Sequence, residues 1–143
     1  MSGIKTSARN VFQGQVKRVT LGAVNAEVVL DLGGQDIVAV ITNESVKTLG
    51  LKEGLAACAL IKASWVILTD GQGLKVSARN NLSGTVAKVT RGAVNSEVIL
   101  NLAGGRQLVA IITNASLDSL GLEEGAPAGA LIKASHVLVA VED

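Results

Sequence analysis

The sequence predicts an all-β protein with short helices, built as two tandem five-stranded barrels. Three observations carry this reading. The chain repeats itself almost from end to end, each copy holds five short apolar runs at strand periodicity, and one short helical pattern separates the third run from the fourth. The repeat comes first, because self-similarity decides architecture. Ser7-Ala8-Arg9-Asn10 recurs as Ser77-Ala78-Arg79-Asn80, and Gly22-Ala23-Val24-Asn25 recurs as Gly92-Ala93-Val94-Asn95. After Leu102 the second copy gains one residue in a Gly-rich turn. From there Ile41-Thr42-Asn43 matches Ile112-Thr113-Asn114, and Leu60-Ile61-Lys62-Ala63-Ser64 matches Leu131-Ile132-Lys133-Ala134-Ser135. The implied domains are 1–70 and 71–143, joined at Asp70-Gly71-Gln72-Gly73. A unit of that size has much surface for its volume, so each copy is expected to lean on the other or on further subunits.

Within the first copy, Asn10 to Thr20 places Val11, Val16 and Val19 at apolar positions around Gly14, and Val28, Leu30 and Leu32 alternate between Glu27 and Leu32. Ile37 to Ile41 is continuous and rich in β-branched residues. Leu55 to Lys62 and Trp65 to Thr69 complete five strands, punctuated by Gly22 and Gly33-Gly34. Asn43 to Gly50 reads as a short helix capped by Thr42 or Asn43, with Gly50 where a C-terminal cap belongs. The second copy repeats this between Thr113 or Asn114 and Gly121. Gly22 is expected to supply a positive φ to a tight turn, with Asn25 bonding its own backbone. Five strands with a helix between the third and fourth is the plan of an OB-type barrel, a fold that does not by itself name a function.

Composition removes several functions. The chain has 143 residues and a formal charge of +1, too little for a broad nucleic-acid footprint. Phe12 and Trp65 are its only aromatic residues, where single-strand binders use several stacking platforms. Cys58 is the only cysteine, so no internal disulfide and no multi-thiolate metal site can form. No signal-peptide pattern opens the sequence and no apolar run is long enough to span a bilayer. A reducing cytoplasm is the expected location, with neither membrane nor nucleic acid as partner. His136 is the only histidine and its counterpart is Trp65. A histidine-based site could therefore exist in one copy only; His136 reads as a partly exposed strand residue. Cys58 corresponds to Gly129 and reads as a small packing residue. No Ser–His–Asp set is available twice, and no P-loop occurs. No enzyme is indicated, no cofactor, and no bare metal cation.

What both copies keep is a set of small donors and cations. In the first these are Ser7, Arg9, Asn10, Thr42, Ser45, Lys62 and Ser64; in the second, Ser77, Arg79, Asn80, Thr113, Ser116, Lys133 and Ser135. No carboxylate recurs among them. Hydroxyls, an amide, a guanidinium and an ammonium suit a tetrahedral dianion and not a hard cation. The start of the short helix adds unpaired N–H groups. Thr42 and Ser45 read equally well as helix caps, and the lysines as solvated strand ends.

These motifs, in order and twice over, resemble the molybdate-binding Mop family (molbindins, related to TOBE domains) in its tandem form. The signatures are Ser-Ala-Arg-Asn, Gly-Ala-Val-Asn, Thr-x-x-Ser, Leu-Gly-Leu-x-x-Gly and Ile-Lys-Ala-Ser. The resemblance implies OB-type units that bind molybdate or tungstate at interfaces, and a homotrimer of two-domain chains. One class of site then resembles Ser7, Ala8, Arg9, Asn10, Lys62, Ala63 and Ser64 with Thr42 and Ser45 nearby. Its equivalent is Ser77, Ala78, Arg79, Asn80, Lys133, Ala134 and Ser135 with Thr113 and Ser116, the halves of a site coming from different units. A second class, near a three-fold axis, resembles Gly22, Ala23, Val24 and Asn25, and Gly92, Ala93, Val94 and Asn95. Asn81 in place of Val11 and Ala115 in place of Glu44 remove no anion ligand. The expected function is intracellular molybdate or tungstate storage and homeostasis. The alternatives are a molybdate-sensing module that docks to a partner and an OB-fold nucleic-acid binder.

Overall fold

The computed structural model describes residues 4–142. Its strands are β1 (Asn10–Leu21), β2 (Asn25–Asp31), β3 (Asp36–Thr42), β4 (Ala56–Ile61), β5 (Ile67–Thr69), β6 (Asn80–Arg91), β7 (Asn95–Leu102), β8 (Gln107–Thr113), β9 (Pro127–Ile132) and β10 (Leu138–Ala140). Two helices, α1 (Asn43–Leu49) and α2 (Asn114–Leu120), stand between the third and fourth strands of each copy. The predicted last strand begins later than expected. Ala63–Trp65 and Ala134–His136 are single 3-10 turns, so Trp65 and His136 lie in turns and the strands start at Ile67 and Leu138.

The compact units do not coincide with the repeats. One unit takes the chain up to Ile61 together with Lys133 onward; the other takes Lys62–Ile132. Their sheets have the orders β10-β4-β1-β2-β3 and β5-β9-β6-β7-β8. The compact units thus cut across the two repeats: each copy lends its last strand to the unit built on the other. The registers give a physical reason. Thr69 stands opposite Gly129, and Ala140 opposite Cys58. A side-chain carbon at position 129 would collide with Thr69 Oγ1. The larger residue of one copy thus meets the smallest residue of the other.

In the first unit, β1 is a 12-residue strand shared by two ladders. Its first half pairs with β4, from Asn10–Ile61 to Gln15–Ala56, and its second half with β2. A register shift between Val16 and Arg18 marks a bulge, which bends and twists the strand so that one element serves both sides of a curled sheet. Gly14 sits where the backbone of Asp31 comes so close that no side chain fits. The second unit repeats the device, with a shift between Val86 and Lys88 and Gly84 against Asn101. Alternate residues of the strands form the cores: Phe12, Val16, Val28, Leu30, Ile37, Ala39 and Ile61 in one unit, Leu82, Val86, Val98, Leu100, Leu108, Ala110 and Ile132 in the other. The Gly-Gly turns work as expected, with Gly33 and Gly34 at φ 83° and 97°. Gly50 ends α1 in the left-handed region and donates to Lys47 and Val46 carbonyls.

Candidate functional site

The helix start is the first site feature. Thr42 is the N-cap of α1: its Oγ1 accepts from Ser45 N at 3.0 Å and its hydroxyl donates to Ser45 Oγ at 2.8 Å. Thr113 and Ser116 repeat this at 3.1 and 2.9 Å. The capping role is therefore real. It uses the threonine proton and leaves the serine hydroxyl hydrogen to donate outward. Both helices have seven residues, too short for the helix dipole to carry an anion site.

The second feature is the Lys-Ala-Ser turn, which strand exchange carries to the other copy. Ala63–Trp65 packs beside β8, and Ala134–His136 beside β3. In the second unit this creates an open cleft of about 760 Å³ that Ser64 lines together with Asn95, Thr113, Ser116 and Ser119, above an apolar floor that includes Val66, Leu68 and Ile111. The Ser64 hydroxyl of one copy thus meets the Thr-x-x-Ser pair of the other, rather than Thr42 and Ser45 of its own. Asn95, assigned from the sequence to the other class of position, lines the same cleft, because it pairs with Thr113 in the β7–β8 ladder.

Ala63 and Ala134 are buried and anchor their turns. Lys62 is exposed, with Nζ 5.6 Å from the centroid of the Trp65 ring, a cation–π arrangement that orients the ammonium group. Ser7, Arg9, Ser77 and Arg79 are exposed just ahead of β1 and β6, and Ala8 and Ala78 are half-buried. The ladders end at Asn10–Ile61 and Asn80–Ile132, so Arg9 and Lys62, and likewise Arg79 and Lys133, each follow the last pair by one residue. None of these cations lines the cleft itself. Asn10 and Asn80 are both 2% exposed, and each Nδ2 donates to a strand-end carbonyl, Ile61 O or Ile132 O, at 3.2 Å. They secure the ladder end.

The Gly-Ala-Val-Asn turns have a different basis from the one expected. Gly22 and Gly92 are not among the glycines with positive φ. Glycine is required because Gly22 N donates to Asn25 O at 2.8 Å, and a side chain on Gly22 would lie 2.7 Å from that oxygen. The turn is also tied down from outside. Asn43 N donates to Val24 O at 2.8 Å and Asn43 Nδ2 to Gly22 O at 2.9 Å; Asn114 does the same to Val94 O and Gly92 O at 2.8 and 3.0 Å. Two carbonyls of each turn are thus occupied, those of Gly22 and Val24 and those of Gly92 and Val94. The N–H groups of Ala23 and Val24 make no backbone hydrogen bond among the described residues, and both residues are exposed. The turn thus presents two backbone N–H donors, a feature that suits an anion. Sequence reasoning used Asn43 only as a possible cap; its recurrence as Asn114 in the second copy was the available signal.

Cys58 is fully buried, and burial pushes its thiol up from the usual range. Arg91 and Asp118 form a two-pronged exposed ion pair at 2.8 and 3.0 Å. Hydrogen bonding to Arg91 holds the Asp118 carboxyl below its usual range. Leu21 and Lys47 occupy the matching positions in the first copy, so the two hairpin tips differ in polarity. No helix among the described residues is long and apolar enough to cross a membrane.

Two curled five-stranded sheets, each carrying a capped short helix and a tied-down Gly-Ala-Val-Asn turn, define a class of small β-barrel modules. The TOBE domain model matches residues 6–68 and 76–139, and the chain belongs to the TOBE domain family. It is 50% identical over 140 residues to the molybdenum-pterin-binding protein MopA of Rhodobacter capsulatus, covering 96% of this chain and 53% of that protein. It is 45% identical over 141 residues to the molybdenum transport protein ModE of Herbaspirillum seropedicae, covering 97% and 52%. The chain thus spans about half the length of the curated relatives it matches. Among solved structures it is similar to the cytoplasmic molybdate-binding protein ModG with molybdate bound, at 47% identity and a TM-score of 0.93, covering 97% of this chain and all of that one.

Proposed function

We propose that this chain binds molybdate or tungstate reversibly and without covalent chemistry, as a storage and buffering protein of the cytoplasm rather than an enzyme. The observation that carries the reading is its whole-length likeness to ModG, whose structure holds molybdate. The donor sets fit that ligand. In the cleft Ser64, Thr113 and Ser116 supply hydroxyls, and Lys62 stands two residues before Ser64 in the chain. At the turns Ala23 and Val24, and Ala93 and Val94, supply backbone N–H groups. A dianion loses hydration on binding, so several donors must replace water together. A donor-only site also rejects protonated phosphate, whose hydroxyl would face another donor. Molybdate and tungstate share shape and charge and are poorly distinguished.

The exposed apolar residues Leu21, Val24 and Val94 at the hairpin tips, 64%, 70% and 71% accessible, support self-association, which we place as a homotrimer. Ligand held between subunits then stabilises the assembly by mass action. The second reading, a sensing module, draws on the match to ModE; a partner captured only with molybdate present would favour it. Calorimetric titration with molybdate, tungstate, sulfate and phosphate tests the main proposal. Selective binding of the first two is expected, and equal affinity for sulfate would overturn it. Replacing Lys62 and Lys133 with Ala should weaken binding; unchanged affinity and stoichiometry would remove the lysines from the site.

A further inference from the structure

We infer that Asn43 and Asn114 are the positioning residues of the two donor turns, and that Ser96 makes the second turn the tighter oxyanion position. The inference rests on the proposed function and concerns how the turns are prepared for an anion. Each asparagine performs two tasks. Its backbone N–H and its Nδ2 occupy two turn carbonyls, which would otherwise repel an oxyanion. It also opens the helix that carries the Thr-x-x-Ser pair. One residue therefore stands at both the turn and the helix start.

The two copies differ in how that asparagine is held. In the second, Asn114 Oδ1 accepts from Ser96 Oγ, and Ser96 is buried at 2% exposure. In the first, Ala26 stands at the Ser96 position and is equally buried. Asn43 Oδ1 is consequently buried with no hydrogen-bond partner. An unsatisfied buried acceptor favours rotamers that expose it to water. Those rotamers withdraw Nδ2 from Gly22 O and free that carbonyl. The first turn thus spends part of its time with the Gly22 carbonyl uncovered, while Ser96 fixes the second.

The test is tungstate occupancy read site by site from anomalous scattering in crystals soaked at graded concentrations, on wild type, Ala26→Ser and Ser96→Ala. The wild-type second turn should fill at lower tungstate than the first, by roughly fivefold, the factor of one ordinary hydrogen bond. A26S should bring the first turn level with the second, and S96A should drop the second to the first. Occupancy near Ser64 and Ser116 should change far less than occupancy at the turns. Ligand-free thermal unfolding of A26S is a separate readout: a rise in midpoint is expected from the new hydrogen bond alone. Equal filling of the wild-type turns, or A26S without effect at the first turn, overturns the inference while leaving the proposed function standing. Absence of tungstate from every position overturns the proposed function, and the inference with it.

Discussion

Replacing Gly129 with Ala tests how strand exchange is specified. Gly129 is buried in β9, and an added methyl would collide with Thr69 Oγ1 on β5. Thr69 cannot rotate away freely, because the same oxygen accepts from Gly71 N at 3.3 Å. Overpacking of this kind costs about 1–3 kcal/mol. Removing a strand glycine returns about 0.5–1 kcal/mol of backbone entropy. The net expectation for G129A is about 1–2 kcal/mol of destabilisation. In a Thr69→Ala background the collision is gone, so the same substitution should stabilise by about 0.5–1 kcal/mol. The sign reversal, a coupling near 2 kcal/mol, is measured by urea unfolding of wild type, both single variants and the double variant. At roughly 3–5 °C per kcal/mol for a chain of this size, melting curves report it independently. If G129A had the same effect in both backgrounds, within about 0.5 kcal/mol, Thr69 would not be its neighbour and the exchanged pairing would be wrong.

Further outcomes are expected. Leu30 has no exposed surface, and Leu30→Ala should cost about 2–5 kcal/mol in urea unfolding; under 1 kcal/mol would place it outside the core. Cys58 should resist thiol reagents in the native state and react at the rate of unfolding. Because burial raises its thiol pKa, its contribution to stability is intact below the ordinary thiol range of about 8.5 and declines as pH rises beyond it. A Cys58→Ala variant should show a flatter stability profile between pH 8 and 10, about that range; an unchanged slope would contradict this. Trp65, the only tryptophan, adjoins Ser64, so its fluorescence should report filling of the cleft in the second unit. Ser116→Ala should weaken that signal's molybdate dependence about tenfold, the scale of a hydrogen bond to a charged group. Ser45→Ala should leave it nearly unchanged, and the reverse pattern would return Ser64 to its own copy's helix.

Much of the molecule was legible along the chain, because the deciding physics is local. The first strand, the Gly33-Gly34 turn, the Thr42 cap and the Gly50 stop are set by neighbouring residues, and the repeat states each of them twice; the bulge in that strand was not read. The duplication also promoted Ser64, Thr113 and Ser116, which the structure brings to one cleft, and discounted His136 and Cys58. It also promoted Asn10 and Asn80, which proved to be buried ladder-end supports, since a repeated residue can serve fold and ligand alike. The glycine of Gly-Ala-Val-Asn was read as a matter of φ, yet it answers to a close approach by Asn25 O that spacing alone does not reveal.

By itself the sequence determined that there are two barrels of one plan, each carrying donors suited to an oxyanion. Only the tertiary structure decided which residues share a barrel. β5 and β10 carry the same short apolar pattern and could each, by local preference, complete either sheet. The choice is made by contacts distant in sequence, Thr69 against Gly129 and Ala140 against Cys58. That choice sets Ser64 beside Thr113 and Ser116.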